Sequence, residues 1–252
     1  MKEALYAVLD TVTRKRGISV RVNGESFRFP ARWMRWFSPR YEPRTFQFIR
    51  THCKPGATFL DVGAHLGLFT TFAARIVGST GKVISFEPSL ATRSVLRRTI
   101  AMNRIEPWVE VRPEAVADKS GVITFYGSPL PADPANSVVP ARVHLKPVVV
   151  PVTTLDKIAA TRTLRYPCLK IDAEGADLQV LRGGKKVFET LRPSCHLSLH
   201  PVQLRQNGGS LEEIWDLLKA YRMSVYSLDQ RMEQSSFCNQ TDLFDVVLLP
   251  AA

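Results

Sequence analysis

The sequence predicts an α/β protein with a Rossmann-like, doubly wound and mostly parallel sheet, a C-terminal antiparallel strand, and an N-terminal helix and hairpin extension. From Pro55 onward, short apolar runs alternate with segments of helical spacing, an order typical of an open parallel sheet. The 252-residue length fits one or two domains. With 45% hydrophobic and 23% charged residues, the composition is that of a globular protein and excludes disorder or a disulfide scaffold.

The first 50 residues are predicted to form a basic N-terminal extension. Residues 1–16 carry apolar side chains at helical spacing and end in three basic residues, which favours a helix. Residues 18–29 alternate around Asn23 and Gly24, a pattern that predicts a hairpin. Residues 30–50 are rich in Trp, Phe, Arg and Pro, and their pattern predicts no particular element.

The formal net charge is +11, and residues 1–50 hold 11 basic but four acidic side chains. Such a surface favours an anionic partner: a nucleic acid, an anionic membrane surface or a phosphorylated substrate. The alternative is a solvated surface that aids solubility. No cluster of aromatic and basic residues typical of an RNA-binding module is present in the sequence, which disfavours nucleic acid. We expect the extension to contact substrate, a membrane or a partner, including a second copy of the chain as a homo-oligomer.

Three sequence features bear on localisation. No apolar run approaches the ~18 residues of a membrane span, and the N-terminal segment lacks the charge order of a secretory signal. The four cysteines are scattered, without the spacing of a metal site. We therefore expect free thiols and a cytoplasmic protein, with peripheral attachment at a membrane as an alternative.

Strands and helices alternate along residues 51–252, which we treat as one domain. The predicted order begins with strand ATFLDVG, helix LGLFTTFAARIVG, strand GKVISFEP, helix SLATRSVLRRTIAMN and strand VEVRPEAV. An insertion at about 119–155 holds two short strands and a Pro-rich loop, 128–142, which we expect to form a lid containing Asn136 and Ser137. The alternative for this loop is a surface segment without function. The order resumes with strand PCLKIDAEG, helix ADLQVLRGGKKVFETL, strand PSCHLSLHP, helix LEEIWDLLKAYR and two final strands.

The first strand-to-helix turn, DVGAHLGLFT, carries the first chemical signal. Glycines at 63 and 67 permit a tight turn and close approach of a ligand, and the next helix presents free N–H groups. The spacing G-x-x-x-G differs from the dinucleotide fingerprint G-x-G-x-x-G. Asp61 precedes it, and a carboxylate there favours a ligand with an ammonium or sulfonium group, such as S-adenosylmethionine, over a nicotinamide cofactor. The alternative is a tight loop whose glycines serve packing.

Two further acidic residues follow neighbouring strands. Glu87 ends the second strand, where a carboxylate accepts hydrogen bonds from a ribose diol; its alternative is an exposed loop carboxylate. Glu114 and Ala115 follow the third strand, and we expect them beside an adenine ring. The alternative for Glu114 is a solvated side chain.

The segment KIDAEG places Asp172 and Glu174 two residues apart, so a strand would point both toward the crevice. Two carboxylates on one face need a cation, a metal or the substrate, and Lys170 shares their parity. The alternative is that Glu174 caps the next helix while Asp172 is solvated. His200 ends the following strand, where it would take a proton from a hydroxyl, whereas His196 is expected to lie buried in the sheet.

The chain resembles the FkbM family of methyltransferases in five segments: DVGAHLGLFT, FEP, the Asn103 after the second helix, VTTLD and LKIDAEGADLQVLRGG. The similarity spans about residues 55 to 202. It implies a class I fold that binds S-adenosylmethionine and releases S-adenosylhomocysteine. By this resemblance Asp61, Gly63 and Gly67 bind the methionine portion, Glu87 holds the ribose, and Asp172 and Glu174 face the methyl group or the substrate. Further cofactor contacts are assigned to the motif positions Ala64, His65, Pro88, Asn103 and Asp172.

The chain departs from the family at two positions, His65, where members more often carry Asn or an Asp-like residue, and Asp177, where they more often carry Glu. The resemblance implies O-methylation of a hydroxyl on a sugar-containing acceptor: a glycan, a glycolipid or a natural product. We expect Asp172 or His200 to act as the base, with Glu174 beside them. The alternative is that a divalent metal held by Asp172, Glu174 and His200 activates the hydroxyl. The competing functions are an RNA or protein methyltransferase and a non-catalytic module that binds the cofactor.

Overall fold

The structure is a computed structural model that describes residues 16–128, 146–227 and 229–251, together with 6, 8–9, 11–13 and 131. Within the predicted N-terminal helix, residues 6, 8–9 and 11–12 are helical, and most of the other positions of that prediction lie outside the described residues. The predicted lid, including Asn136 and Ser137, also lies outside them except at Ser128 and Pro131.

Among the described residues, strands and helices alternate over 58–112 and 155–206. The strands are β1 (Ile18–Val22), β2 (Glu25–Phe29), β3 (Thr58–Val62), β4 (Lys82–Phe86), β5 (Val109–Arg112), β6 (Ala115–Val116), β7 (Gly121–Gly127), β8 (Lys146–Thr153), β9 (Cys168–Ile171), β10 (Ser194–Leu199), β11 (Met223–Ser227), β12 (Gln230–Arg231) and β13 (Phe244–Pro250). The helices are α1 (Pro43–His52), α2 (Leu68–Val77), α3 (Leu90–Asn103), α4 (Leu155–Thr161), α5 (Asp177–Arg182), α6 (Pro201–Gln206), α7 (Leu211–Ala220) and α8 (Gln234–Cys238).

The central sheet has the order β12-β11-β13-β10-β9-β3-β4-β5. The pairs from β10 through β9, β3 and β4 to β5 are all parallel. β13 pairs antiparallel with both β10 and β11, between which it is inserted. The predicted mostly parallel Rossmann-like sheet with a C-terminal antiparallel strand is therefore confirmed.

The apolar pattern of the central strands explains why both faces of the sheet are covered. Successive side chains of a strand point to opposite faces. In β3, Leu60 and Val62 join an apolar cluster with α5, α6 and α7, whereas Phe59 joins a second cluster with α1, α2 and α3. All five residues of β3 are buried, as expected for a parallel strand between two helical layers. The carboxyl ends of β3, β4 and β9 therefore meet at one edge.

The N-terminal hairpin forms as predicted and shares the core of the sheet. Asn23 and Gly24 have positive φ angles of 48° and 85°, as a two-residue hairpin turn requires. Phe27 and Phe29 lie in the same apolar cluster as Phe59. Residues 30–50, for which the sequence pattern predicts no element, contain a 3₁₀ turn at Ala31–Trp33 and helix α1.

Two sequence-based predictions of secondary structure need correction. The predicted strand VEVRPEAV is divided: β5 ends the central sheet, and β6 belongs to a separate three-stranded sheet with β7 and β8. Pro113 lies at the break, where it can donate no ladder hydrogen bond. The predicted helix ADLQVLRGGKKVFETL is also divided, because α5 ends at Arg182 and a π-helical turn covers Val187–Leu191.

Two other findings concern the cysteines and the helices. All four cysteines lie in the described ranges, and none of them forms a disulfide. Among the described residues, no helix combines the length and apolarity that crossing a membrane requires.

Gly183, which ends α5, packs directly against Ala117 and Asp118, which follow β6. A Cβ atom at this position would lie 1.9 Å from the carbonyl oxygen of Ala117. We expect Gly183→Ala to lower the free energy of unfolding by about 1–3 kcal/mol through overpacking, as measured by urea denaturation. Gly127→Ala is the matched control, since its Cβ would meet no atom closer than 3.4 Å; equal stability losses in both variants would contradict the explanation.

Candidate active site

A cleft lies at the carboxyl ends of β3, β4 and β9, where ligands bind in open α/β sheets. It encloses about 1050 Å³, including its opening to solvent. Nine residues predicted from the sequence line it: Gly63, Ala64, His65, Glu87, Pro88, Glu114, Ala115, Asp172 and Glu174. Asp61, Gly67, Asn103 and His200, also predicted, are not among its lining residues. The sequence therefore located the cleft but not every position of its wall.

The two glycines of the turn after β3 are required by packing within the protein. Both have positive φ, 79° at Gly63 and 87° at Gly67. A Cβ atom at Gly63 would lie 2.1 Å from the carbonyl oxygen of Asp172, and one at Gly67 would lie 2.5 Å from Leu96. Gly63 thus brings the turn against the end of β9, while Gly67 brings it against α3. Of the two, Gly63 also lines the cleft.

Asp61 is fully buried beneath this turn. Its Oδ2 accepts a hydrogen bond of 2.6 Å from the Thr70 hydroxyl, whereas its Oδ1 has no hydrogen-bond partner among the described residues. Burial raises the pKa of the Asp61 carboxyl, although the nearby Lys170 ammonium and the Thr70 hydroxyl oppose that shift. The Asp61 carboxylate therefore lies under the residues that line the cleft, with one hydrogen-bonded oxygen and one without a described partner.

Glu87 is buried and fastens the turn after β3 to the start of α3. One carboxylate oxygen accepts the His65 N–H at 2.9 Å, and the other accepts the Ser89 N–H at 2.9 Å. Burial raises the pKa of Glu87 to about 7, despite these two hydrogen bonds. Because Glu87 also lines the cleft, its remaining lone pairs are available to a ligand. The alternative of an exposed loop carboxylate does not match this position.

The residues predicted beside adenine lie next to Glu87 at the same edge. Glu114 and Ala115 line the cleft, and the Glu114 carboxylate pairs with the Arg112 guanidinium. This ion pair fixes the end of β5 and the start of β6.

Asn103 is one of the four predicted residues that do not line the cleft. It is the last residue of α3, and its side chain accepts from the Arg28 N–H and donates to the Arg28 carbonyl, at 3.1 and 2.8 Å. It also accepts a 3.0 Å hydrogen bond from Arg75. A helix that begins at the carboxyl edge of the sheet ends at the opposite edge, so Asn103 holds the hairpin instead of a cofactor.

Asp172, Glu174 and His200 come together where β9 and β10 end. His200 Nε2 lies 3.6 Å from Asp172 Oδ1 and 3.4 Å from Glu174 Oε2. Parallel pairing of β9 with β10 produces this proximity. Glu174 has a positive φ of 48°, a strained conformation of the kind found at functional sites. The prediction that these three side chains share one site agrees with this geometry.

His200 has a third acidic neighbour that the sequence analysis did not identify as part of the site. Its Nδ1 lies 3.8 Å from Oδ2 of the buried Asp177. Burial alone would lower the pKa of His200, but Asp177, Glu174 and Asp172 together raise it to about 9. The imidazole is therefore protonated at neutral pH without ligands and does not suit the role of base. His196 is buried, as predicted, and burial lowers its pKa to about 4.

Three residues of the N-terminal extension, Phe37, Tyr41 and Glu42, also line the cleft. Tyr41 packs edge-on against Phe37, with ring centroids 4.9 Å apart. Burial raises the pKa of Glu42, although the nearby Lys170 ammonium reduces this shift. The many aromatic residues in 30–50 indicate burial, but the sequence alone does not show whether they pack in the core or line the cleft.

Sequence and structure comparisons identify relatives of the chain. The sequence profile of the methyltransferase FkbM domain matches residues 61–225, and no curated protein sequence shows significant similarity. A candidate rRNA methylase from Clostridium thermocellum superposes with a TM-score of 0.50 at 15% identity, covering 83% of this chain and 95% of that one. This likeness shows a shared fold.

Two further solved structures are similar at lower TM-scores. The methyltransferase FkbM from Methylobacillus flagellatus has a TM-score of 0.47 and 12% identity, covering 81% of this chain and 50% of that one. The O-methyltransferase from Bacillus cereus, solved with S-adenosylhomocysteine, has a TM-score of 0.44 and 14% identity over 82% and 81%. Because the FkbM profile covers more than half of the sequence, the chain belongs to the FkbM methyltransferase family.

Proposed function

We propose that this chain transfers the methyl group of S-adenosylmethionine to a hydroxyl of a sugar-containing acceptor and releases S-adenosylhomocysteine. One observation carries the proposal: the order of the site residues along the sheet edge. Glu114 follows β5, Glu87 follows β4, the glycine turn follows β3, and Asp172 and Glu174 follow β9. An adenosine end, a ribose, a methionine and an acceptor can occupy this edge in the same order.

The donor set of the cleft fits this cofactor. Glu87 offers a carboxylate to the ribose diol, and the turn at Gly63 and Ala64 lies beside it along the cleft. Asp61, Asp172 and Glu174 place negative charge near the position of the ammonium and the sulfonium. Bound S-adenosylmethionine supplies a methyl group already activated by its positively charged sulfur. The protein's task is therefore to align the acceptor oxygen with the methyl carbon, at ~3 Å.

The acceptor side of the cleft has a composition suited to a sugar. Phe37 and Tyr41 present aromatic surface, on which the apolar face of a sugar ring packs. Glu42, Asp172 and Glu174 supply carboxylates that accept hydrogen bonds from hydroxyls. We propose that residues 1–50 thereby provide acceptor contacts, while residues 51–252 bind the cofactor.

Activation of the acceptor hydroxyl is assigned to the cluster of Asp172, Glu174 and His200. Asp172 and Glu174 line the cleft, whereas His200 lies behind them and orients both carboxylates. Without a metal ion, the Asp172 or Glu174 carboxylate takes the proton of the hydroxyl as the oxygen attacks the methyl carbon. His200 is accordingly a positioning residue.

Glu87→Gln should weaken binding of S-adenosylhomocysteine by about tenfold or more, because the amide accepts fewer of the hydrogen bonds that the carboxylate accepts. The pKa of free Glu87 is about 7, and diol donors favour its ionised form, so binding releases a proton. Affinity should therefore rise from about pH 6 to about pH 8, by at most tenfold per pH unit. Calorimetry measures both effects. The exposed Glu106→Gln is the control, and an unchanged pH profile in Glu87→Gln would contradict the assignment.

Asp172→Asn and Glu174→Gln should each lower methyl transfer by at least about 100-fold, since both remove a group that activates the hydroxyl. The assay uses labelled S-adenosylmethionine with a panel of saccharides, RNA and protein, and calorimetry checks that cofactor binding persists. Glu212→Gln, on the exposed side of α7, should retain full turnover. Label on RNA or protein would overturn the sugar acceptor, and cofactor binding without transfer to any acceptor would indicate a non-catalytic module.

Tyr41→Ala should raise the KM for the acceptor by roughly tenfold through loss of aromatic contact, with unchanged affinity for S-adenosylhomocysteine. Tyr166, which is 69% exposed and does not line the cleft, is the matched control as Tyr166→Ala. Steady-state kinetics against acceptor concentration distinguish the two variants. Equal KM values for wild type and Tyr41→Ala would remove the extension from the acceptor site.

A further inference from the structure

We infer that Asp172, Glu174 and His200 bind a divalent cation of the Mn²⁺ type at the acceptor end of the cleft. The inference rests on the proposed function and specifies how the acceptor hydroxyl is activated. Each residue offers one ligand atom, and these atoms all lie within 4.8 Å of one another. Two carboxylate oxygens and one imidazole nitrogen form a donor set that suits Mn²⁺ and related first-row ions. The cation displaces the proton that the His200 imidazole carries in its absence.

The distances between the three ligand atoms are close to those around a shared ion. Ligand atoms about 2.1 Å from an ion lie about 3.0–3.4 Å apart at adjacent octahedral or tetrahedral positions. His200 Nε2 is 3.4 Å from Glu174 Oε2 and 3.6 Å from Asp172 Oδ1. Small side-chain rotations therefore suffice to place the three atoms around one cation.

Neighbouring residues hold two of the ligands in suitable orientations. Lys170 donates to Asp172 Oδ2 at 3.2 Å, which leaves Oδ1 directed toward His200. On its other side, His200 Nδ1 faces Asp177 Oδ2 at 3.8 Å, and that oxygen is buried with no hydrogen-bond partner among the described residues. A metal-bound histidine usually donates its other ring N–H to a carboxylate, which orients the ring.

The position of the site relates it to catalysis. Asp172 and Glu174 line the cleft, whereas His200 closes the site from behind, so open coordination positions face the acceptor. A hydroxyl oxygen bound there loses its proton to water more readily. Its electron pair then forms the bond to the methyl carbon, while the carbon–sulfur pair stays on sulfur and yields S-adenosylhomocysteine.

Mn²⁺ titration of the full chain, followed by electron paramagnetic resonance, tests the inference. Wild type should bind one Mn²⁺, and Asp172→Asn or His200→Gln should weaken this binding by at least about tenfold. Asp177→Asn should weaken Mn²⁺ binding by about 10–100-fold, because the carboxylate that orients the His200 ring is lost. If Asp177 served only as an ion-pair partner of His200, this loss of Mn²⁺ binding would not occur. Glu212→Gln should bind Mn²⁺ as wild type does, and circular dichroism with thermal unfolding verifies that each variant is folded.

The outcomes separate this inference from the proposed function. Equal Mn²⁺ binding by wild type and Asp172→Asn, or methyl transfer that is undiminished in EDTA, would overturn the metal site and leave a methyltransferase whose carboxylate acts as base. Specific Mn²⁺ binding by a protein that fails to bind S-adenosylhomocysteine would support the metal site and overturn the proposed function.

Discussion

The Lys170 ammonium is the charge on which the rest of the site depends. The side chain is 1% exposed, donates to Asp172 and to the Gly63 carbonyl, and lies 5.5 Å from the centre of the Phe69 ring. Burial alone would lower the pKa of Lys170, but Asp172, Asp61 and Glu42 raise it instead. One cation thus joins the end of β9, the turn after β3 and the N-terminal extension. Without it, buried carboxylates from three parts of the chain would lose their compensation, which is strongly destabilising.

The site around this ammonium consists of carboxylates that are buried among apolar side chains at the edge of the sheet. Burial raises the pKa of both Glu87 and Glu174 to about 7, so their protonation responds to ligands near neutral pH. In contrast, Lys170 and His200 lower the pKa of Asp172. Different environments therefore prepare chemically identical groups for different tasks, as is typical of active sites.

The N-terminal extension completes the cleft because it packs into the same core as the sheet. Phe46 contacts Phe72 of α2 with ring centroids 4.6 Å apart, and it also contacts Phe69 and Phe27. This aromatic packing positions α1 beside α2, and Tyr41 and Glu42, which precede α1, line the cleft. The segment that would select the acceptor is consequently anchored by apolar burial and not by the basic side chains that dominate its composition.

The sequence by itself determined the sheet, the cleft and most of the candidate site, because these depend on local patterns. Apolar runs identified β3, β4, β9 and β10, and their ends placed Glu87, Asp172 and His200 at one edge. Tertiary structure alone decided which residues complete that edge. The sequence analysis misplaced Asn103 and missed Asp177 and Tyr41 as members of the site. Their roles depend on contacts with distant segments: Asn103 bonds to Arg28, Asp177 faces His200, and Tyr41 lines the cleft. No periodicity encodes such contacts, since they arise from how helices and loops pack after the strands have paired.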